Sequence, residues 1–209
     1  MSLATNWGYN LTEDLAELPG MITVDEFNTY TAAKYTGDIR IEAEIKAASL
    51  AIRSYCGWHV YPSASCSMQE RLLLGNGRAK RVGRDLMIQL PARVVTAVSS
   101  VLIDSAEYTD FDFDENGIVH VFDAPALTRK SIVTVEYTAG VPDAFMDAIK
   151  ELVAHRVTHS LASSNGITSE AAGGVSVTYN ANWVNSARAT ALPDDNKEVL
   201  SPYKIQGVY

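Results

Sequence analysis

Only two cysteines, Cys56 and Cys66, occur among the 209 residues, too few for a disulfide scaffold. With His59 they match no common zinc-finger spacing, and no fourth ligand is evident, so free thiols are expected. No apolar run approaches the ~20 residues needed to span a bilayer. No basic stretch leads into an apolar one near the N-terminus, so no secretory signal is read there. Basic charge is also short: 17 Lys and Arg stand against 25 Asp and Glu, a formal charge of −8. That balance argues against wrapping nucleic acid by phosphate neutralisation. It suits basic partners, or a passage through which DNA slides without sticking.

Catalytic signatures are missing too. No Gly-x-Ser-x-Gly elbow occurs. Gly75-Asn76-Gly77-Arg78 lacks the lysine-serine pair and the helix start of a phosphate loop. His155 and His159 stand one helical turn apart, but Arg156 occupies the position where a zinc-protease helix carries its glutamate base. Helix-face histidines near a core or a subunit contact are the better reading. Asp110, Asp112 and Asp114 interleave with Phe111 and Phe113, as on the wet face of an exposed strand. No opposing acid pairs with them, so glycosidase chemistry is unsupported.

The stretch 112–123 spells like a calcium loop, with Asp112, Asp114, Asn116, Gly117 and Asp123 at loop positions 1, 3, 5, 6 and 12. Its flanks decide the matter. Both arms alternate or are β-branched, whereas a calcium loop lies between helices. Position 12 carries Asp123 in place of the longer glutamate. Asn116-Gly117 is then the turn of a β-hairpin, because both residues tolerate positive φ.

What is present falls into blocks. Residues 1–20 are polar and end in Pro19-Gly20, which reads as a flexible arm. Thr23 caps a short helix expected to reach about Tyr35, with Asp25 and Glu26 in its first turn. Asp38 caps a second helix carrying Ile41, Ile45, Ala48, Ile52 and Tyr55 on one stripe, ended by Gly57. From 58 to 140 the period becomes that of strands, about five to seven of them. Helix returns after Pro142 with Phe145, Ile149, Leu152, Val153, Arg156 and Val157, continuing to Leu161. Residues 162–197 are rich in Ser, Asn, Gly and Ala; within them Val175–Tyr179 alternates like a short strand or extended arm. The expected class is α+β: a small helical bundle core from 21–57 and 141–209, an antiparallel β subdomain inserted at 58–140, and a loose C-terminal arm.

Four stretches carry a resemblance to a known family. They are Met21–Glu26 leading into the helix that ends Ser54-Tyr55-Cys56-Gly57; Ile88-Gln89-Leu90-Pro91 followed by 94–102; Tyr137-Thr138-Ala139-Gly140-Val141-Pro142 entering the helix with 148–155; and Ile167–Glu170 through Val175–Tyr179, closing with Leu200-Ser201-Pro202-Tyr203-Lys204. In order and spacing they resemble the head–tail connector (head-completion adaptor) proteins of tailed bacteriophages and prophages. The loop 180–197 is longer than the pattern, and the first sixteen or so residues have no counterpart.

The resemblance implies a structural role without catalysis or cofactor. Such proteins bind beneath the portal protein as a ring, extend the DNA channel and dock a tail-side connector or stopper. Double-stranded DNA passes through in transit. The site is the virion head–tail junction, reached from the host cytoplasm, with no membrane involved. Val175, Val177, Tyr179, Leu200, Pro202, Tyr203 and Lys204 are the candidates for subunit or portal contact, the strand among them by adding to an exposed edge. Arg78, Lys80, Arg81 and Arg84 form the one basic cluster; they read first as the solvated flank of a hairpin, and they are also the best local candidates for contact with DNA or an acidic partner. The competing readings are a small enzyme, or a non-phage binding module, with an unrecognised site in the β insertion.

Overall fold

The structure, a computed structural model, describes residues 3–4, 7–12, 17–71, 78–128, 130–163, 169–172, 175–178, 192 and 194–205. The chain divides into two compact units, one of Met1–Leu18, Cys56–Pro142 and Pro202–Tyr209, the other of Pro19–Tyr55 and Asp143–Ser201. The class is α+β.

The first unit is built on antiparallel strands. A six-stranded sheet has the order β1 (Leu3–Ala4), β2 (Asn10–Leu11), β3 (Ala64–Arg71), β10 (Ile132–Ala139), β6 (Val95–Ile103), β7 (Ala106–Glu107). A four-stranded sheet has the order β4 (Ala79–Val82), β5 (Asp85–Gln89), β9 (Ile118–Val121), β8 (Phe111–Phe113). Each strand that carries core residues alternates, because successive side chains leave opposite faces. Along β10, Val133, Val135, Tyr137 and Ala139 are buried; Ala64, Cys66 and Met68 on β3 and Val95, Val101 and Ile103 on β6 join them. In the second sheet Leu86 stands opposite Val121 and Ile88 opposite Val119, all four buried.

Strand β6 reaches across β10 with two residues to spare. Glu136 faces Ser100 while Tyr137 faces Val98, and Thr138 faces Ala97 while Ala139 faces Val95. The skipped residues, Ser99 and Thr96, donate their hydroxyls to the carbonyls of Glu136 (3.1 Å) and Thr138 (3.4 Å). Both bulges therefore keep the ladder's acceptors satisfied while adding twist.

The stretch 112–123 is a hairpin. Phe113 faces Val119 and Phe111 faces Val121. Gly117 N–H donates to Asp114 O (3.0 Å), and only Gly117 of the pair Asn116-Gly117 has positive φ (+82°). The loop is thus the three-residue kind, a tight turn closed by a left-handed glycine, where the sequence had suggested two residues at positive φ. Asp114 Oδ1 accepts from Ile118 N–H (2.9 Å), so this carboxylate serves the turn.

The second unit holds α1 (Val24–Tyr30), α2 (Ile41–Cys56, whose last residue belongs to the first unit), α3 (Asp147–Ser163), α4 (Asp194–Leu200) and the hairpin β11 (Ser169–Ala172) and β12 (Val175–Thr178). Thr23 and Glu26 form a capping box: Glu26 N–H donates to Thr23 Oγ1 (3.1 Å) and Thr23 N–H to Glu26 Oε2 (2.7 Å). This helix stops at Tyr30, short of the expected Tyr35. Thr31 turns its hydroxyl back on Phe27 O (3.0 Å), and Ala32 and Ala33 take left-handed φ of 49° and 60°, which a helix cannot continue. On α2 the expected stripe is buried at Ile41, Ile45, Ala48 and Ile52. On α3 Ile149, Leu152, Val153, Val157 and Leu161 are buried. Phe145, expected to start that stripe, is 68% exposed, and Met146 is buried in its stead. The cause is a 3-10 turn, Asp143–Phe145, which changes the angular phase ahead of the helix.

Residues 7–12, expected within a flexible arm, carry β2, which pairs with β1 and β3 in the larger sheet, and Tyr9 and Leu11 are buried. Trp7, Tyr9 and Leu11 are apolar at period 2, a pattern short enough to pass for irregular chain.

Candidate interaction surfaces

The basic cluster divides by role. Strand β4 lies at a sheet edge, with Lys80 opposite Met87 and Arg81 opposite Leu86. Arg81 spends its guanidinium on main-chain carbonyls: Nη1 to Pro125 (2.9 Å), Nη2 to Ala124 (3.2 Å) and Nε to Gly83 (3.1 Å). Arg78 donates Nη2 to Trp7 O (3.2 Å) and is half-buried. Both arginines brace their own unit's loops. Lys80 is exposed, and Arg84 stands 3.9 Å from Asp123 with the two side chains 88% and 77% exposed. A pair so open to water contributes little to stability. Lys80, Arg81 and Arg84 are all exposed and present charge to solvent, Arg81 from a guanidinium fixed on carbonyls.

The C-terminal segment of the first unit is held by its backbone. Arg93 Nη1 donates to Pro202 O and Lys204 O, both at 3.1 Å, and Trp58 Nε1 donates to Tyr203 O (2.6 Å). Ile205 N–H donates to Cys56 O (3.0 Å). Three successive carbonyls thus meet side-chain donors. Arg93 Nη2 also donates to Asn116 Oδ1 (3.0 Å), joining the tail to the 114–117 turn. Gln89, Arg93, Asn116, Ile118 and Ile205 line a cleft of about 290 Å³ beside this clamp. With the backbone occupied, Pro202 and Lys204 are exposed and Tyr203 is half-buried. Leu200 is fully buried, so it offers no surface in this state. Val175 and Val177 lie on β12, opposite Ala172 and Glu170. Tyr179 lies outside the described residues.

Arg93 and Trp58 were not picked out from sequence. An arginine after Leu90-Pro91-Ala92 reads as a loop charge, and only the fold brings residues more than a hundred positions apart to it.

The cysteines and histidines form no donor set for a metal. Cys56 and Cys66 are buried free thiols; burial pushes the Cys56 thiol up to about 12. His59 has its ring nitrogens hydrogen-bonded to Tyr9 Oη (2.6 Å) and Ala139 O (3.0 Å). On α3, burial and then the nearby His155 hold His159 below the ordinary histidine value. Among the described residues no three His, Cys, Asp or Glu side chains converge on a metal position, and no helix is long and apolar enough to cross a membrane.

Residues 20–205 match the family model described as head completion protein. The chain belongs to the head completion protein family, whose role is structural, in the phage head and virion. The resemblance to phage head-completion and connector proteins read from the four sequence stretches agrees with this match. No curated protein matches the chain.

Proposed function

We propose that the chain is a head–tail connector subunit. It binds beneath the portal protein as a ring of identical copies, extends the DNA channel and presents its far side to a tail-side connector or stopper. Family membership over residues 20–205 is the observation that carries this reading. The helical unit is the connector body and the β unit a module inserted in it, a division supported by the grouping of Pro19–Tyr55 with Asp143–Ser201. Exposed apolar side chains on the helical unit, Ile39 (95%), Phe145 (68%) and Leu50 (56%), support contact with neighbouring subunits. Tyr203 and Lys204 present side chains to the portal or a neighbour from a clamped backbone, and the arm carrying Val175, Val177 and Tyr179 reaches an adjacent copy. The excess of acid supports a channel wall that repels DNA and keeps it moving. Lys80 and Arg84 meet DNA or an acidic partner at the module's edge. Assembly takes place in the host cytoplasm.

Native mass spectrometry and light scattering, with and without portal protein, test the reading. Closed oligomers, formed alone or on the portal, are expected. A strict monomer at high concentration that also ignores portal protein overturns it. Exchanging the acids that face the channel in the assembled ring for lysine should slow DNA ejection.

A further inference from the structure

The N-terminal segment fits a slot that the rest of the β unit supplies. Residues 7–12 precede the 20–205 span matched by the family model, yet they are anchored like core. Asn10 stands opposite Ser67 and Leu11 opposite Cys66. Thr12 donates to Ser65 O from its N–H (2.9 Å) and its hydroxyl (3.1 Å). Trp7 O accepts from Arg78. Leu11 is 0% and Tyr9 3% exposed.

The Tyr9 phenol is read from both sides. Its oxygen accepts from His59 N–H (3.0 Å). His59 Nε2 lies 3.0 Å from Ala139 O, an acceptor only, so Nε2 carries the ring proton. Nδ1 must then accept from the Tyr9 hydroxyl at 2.6 Å. Strand β3 pairs along its whole length with β10 but at only two positions with β2. The slot is therefore a short edge with one hydroxyl-reading pocket and one apolar pocket, matched to a Tyr-x-Leu segment in extended form.

We propose that this slot takes residues 7–12 of a second copy of the chain as well as its own, so that neighbouring subunits are joined by exchanged N-terminal strands. The inference deepens the ring reading and rests on it for the adjacency of the second copy. Exchange remakes the same bonds it breaks, so it changes little besides the tether. A neighbour in a ring holds its segment at an effective concentration in the millimolar range, comparable to that of the chain's own tether. A dilute free chain stays closed on itself. The attachment is small, two ladder positions and two anchors, so release is easy.

The register supplies the test. The Thr12 N–H to Ser65 O bond makes 12 and 65 a hydrogen-bonded pair, so 11 and 66 form a non-hydrogen-bonded pair with Cα atoms about 4.5 Å apart, within disulfide reach. A full-length Leu11→Cys chain, prepared as a mixture of ¹⁴N- and ¹⁵N-labelled copies, is concentrated with portal protein and oxidised with diamide. Isotope-mixed peptides linking position 11 to Cys66, and a ladder on a non-reducing gel that Cys66→Ser abolishes, are the expected result. Position 11–Cys66 links confined to single chains overturn the exchange, whatever oligomer light scattering finds; the ring itself is judged by that scattering alone. If Leu11→Cys does not fold, a fluorescent peptide of residues 7–12 is titrated onto full-length Leu11→Ala. Binding that weakens at least tenfold when the peptide carries Tyr9→Phe supports the slot, and no binding, or binding indifferent to the hydroxyl, overturns it.

Discussion

Lys150 Nζ lies 2.6 Å from Glu26 Oε1, joining α3 to the first turn of α1. The same carboxylate accepts the Thr23 N–H through Oε2. One side chain thus closes a helix cap and ties two helices of the unit together. The Lys150 hydrogen bond, then that from the Thr23 backbone, holds the Glu26 carboxyl below its ordinary value.

Glu26→Ala removes both functions and should cost about 1–2 kcal/mol, while Glu26→Gln keeps the cap and costs less. Because the folded carboxyl titrates lower than the unfolded one, its contribution is complete above about 4.5 and fades as pH falls through the lower folded value. Urea unfolding at neutral pH and below pH 4 should show the gap between wild type and Lys150→Met narrowing in acid. A gap independent of pH would contradict the ion pair.

Arg93→Lys should release the 202–205 segment nearly as fully as Arg93→Ala. The fork serves two carbonyls and Asn116 at once, which a single ammonium on a flexible stem cannot reproduce. Hydrogen exchange at the Ile205 amide, bonded to Cys56 O in the wild type, should quicken at least tenfold in both variants. Protection retained in Arg93→Lys would assign the clamp to Trp58.

Gly117 and Gly83 both have positive φ, +82° and +65°. A Cβ on Gly83 meets nothing within 4 Å, whereas one on Gly117 runs into Ala92 O. Gly83→Ala should lose only the left-handed backbone preference, about 1–2 kcal/mol. Gly117→Ala should lose clearly more. Paired thermal unfolding curves measure the difference, and equal losses would refute the close approach.

Cys56 and Cys66 should ignore a thiol reagent such as dithionitrobenzoate at pH 8 in the native protein and react together in guanidinium. Both are buried, and the Cys56 thiol sits far above that pH. Rapid native reaction at either would mean that the β unit opens readily.

Where a pattern repeats along one element, the residues announced it. The stripe of α2, the alternation on β10 and the hairpin around Asn116-Gly117 were all legible, since period and turn chemistry are local properties. The misses came where a few residues changed the outcome. Thr31, Ala32 and Ala33 ended α1 early. A 3-10 turn exchanged Phe145 for Met146 in the core. The segment 7–12, with three apolar side chains, carries the two-residue strand β2 and buries Tyr9 and Leu11.

The family, the mixed class and the long helices follow from the order of residues alone, because each rests on periodicity or on short motifs in sequence. Which side chains hold distant backbone was decided only in three dimensions. Arg93 finds Pro202 and Lys204, Trp58 finds Tyr203, and His59 finds Tyr9, because hydrogen bonds depend on positions to within a few tenths of an ångström, and linear spacing carries no such information.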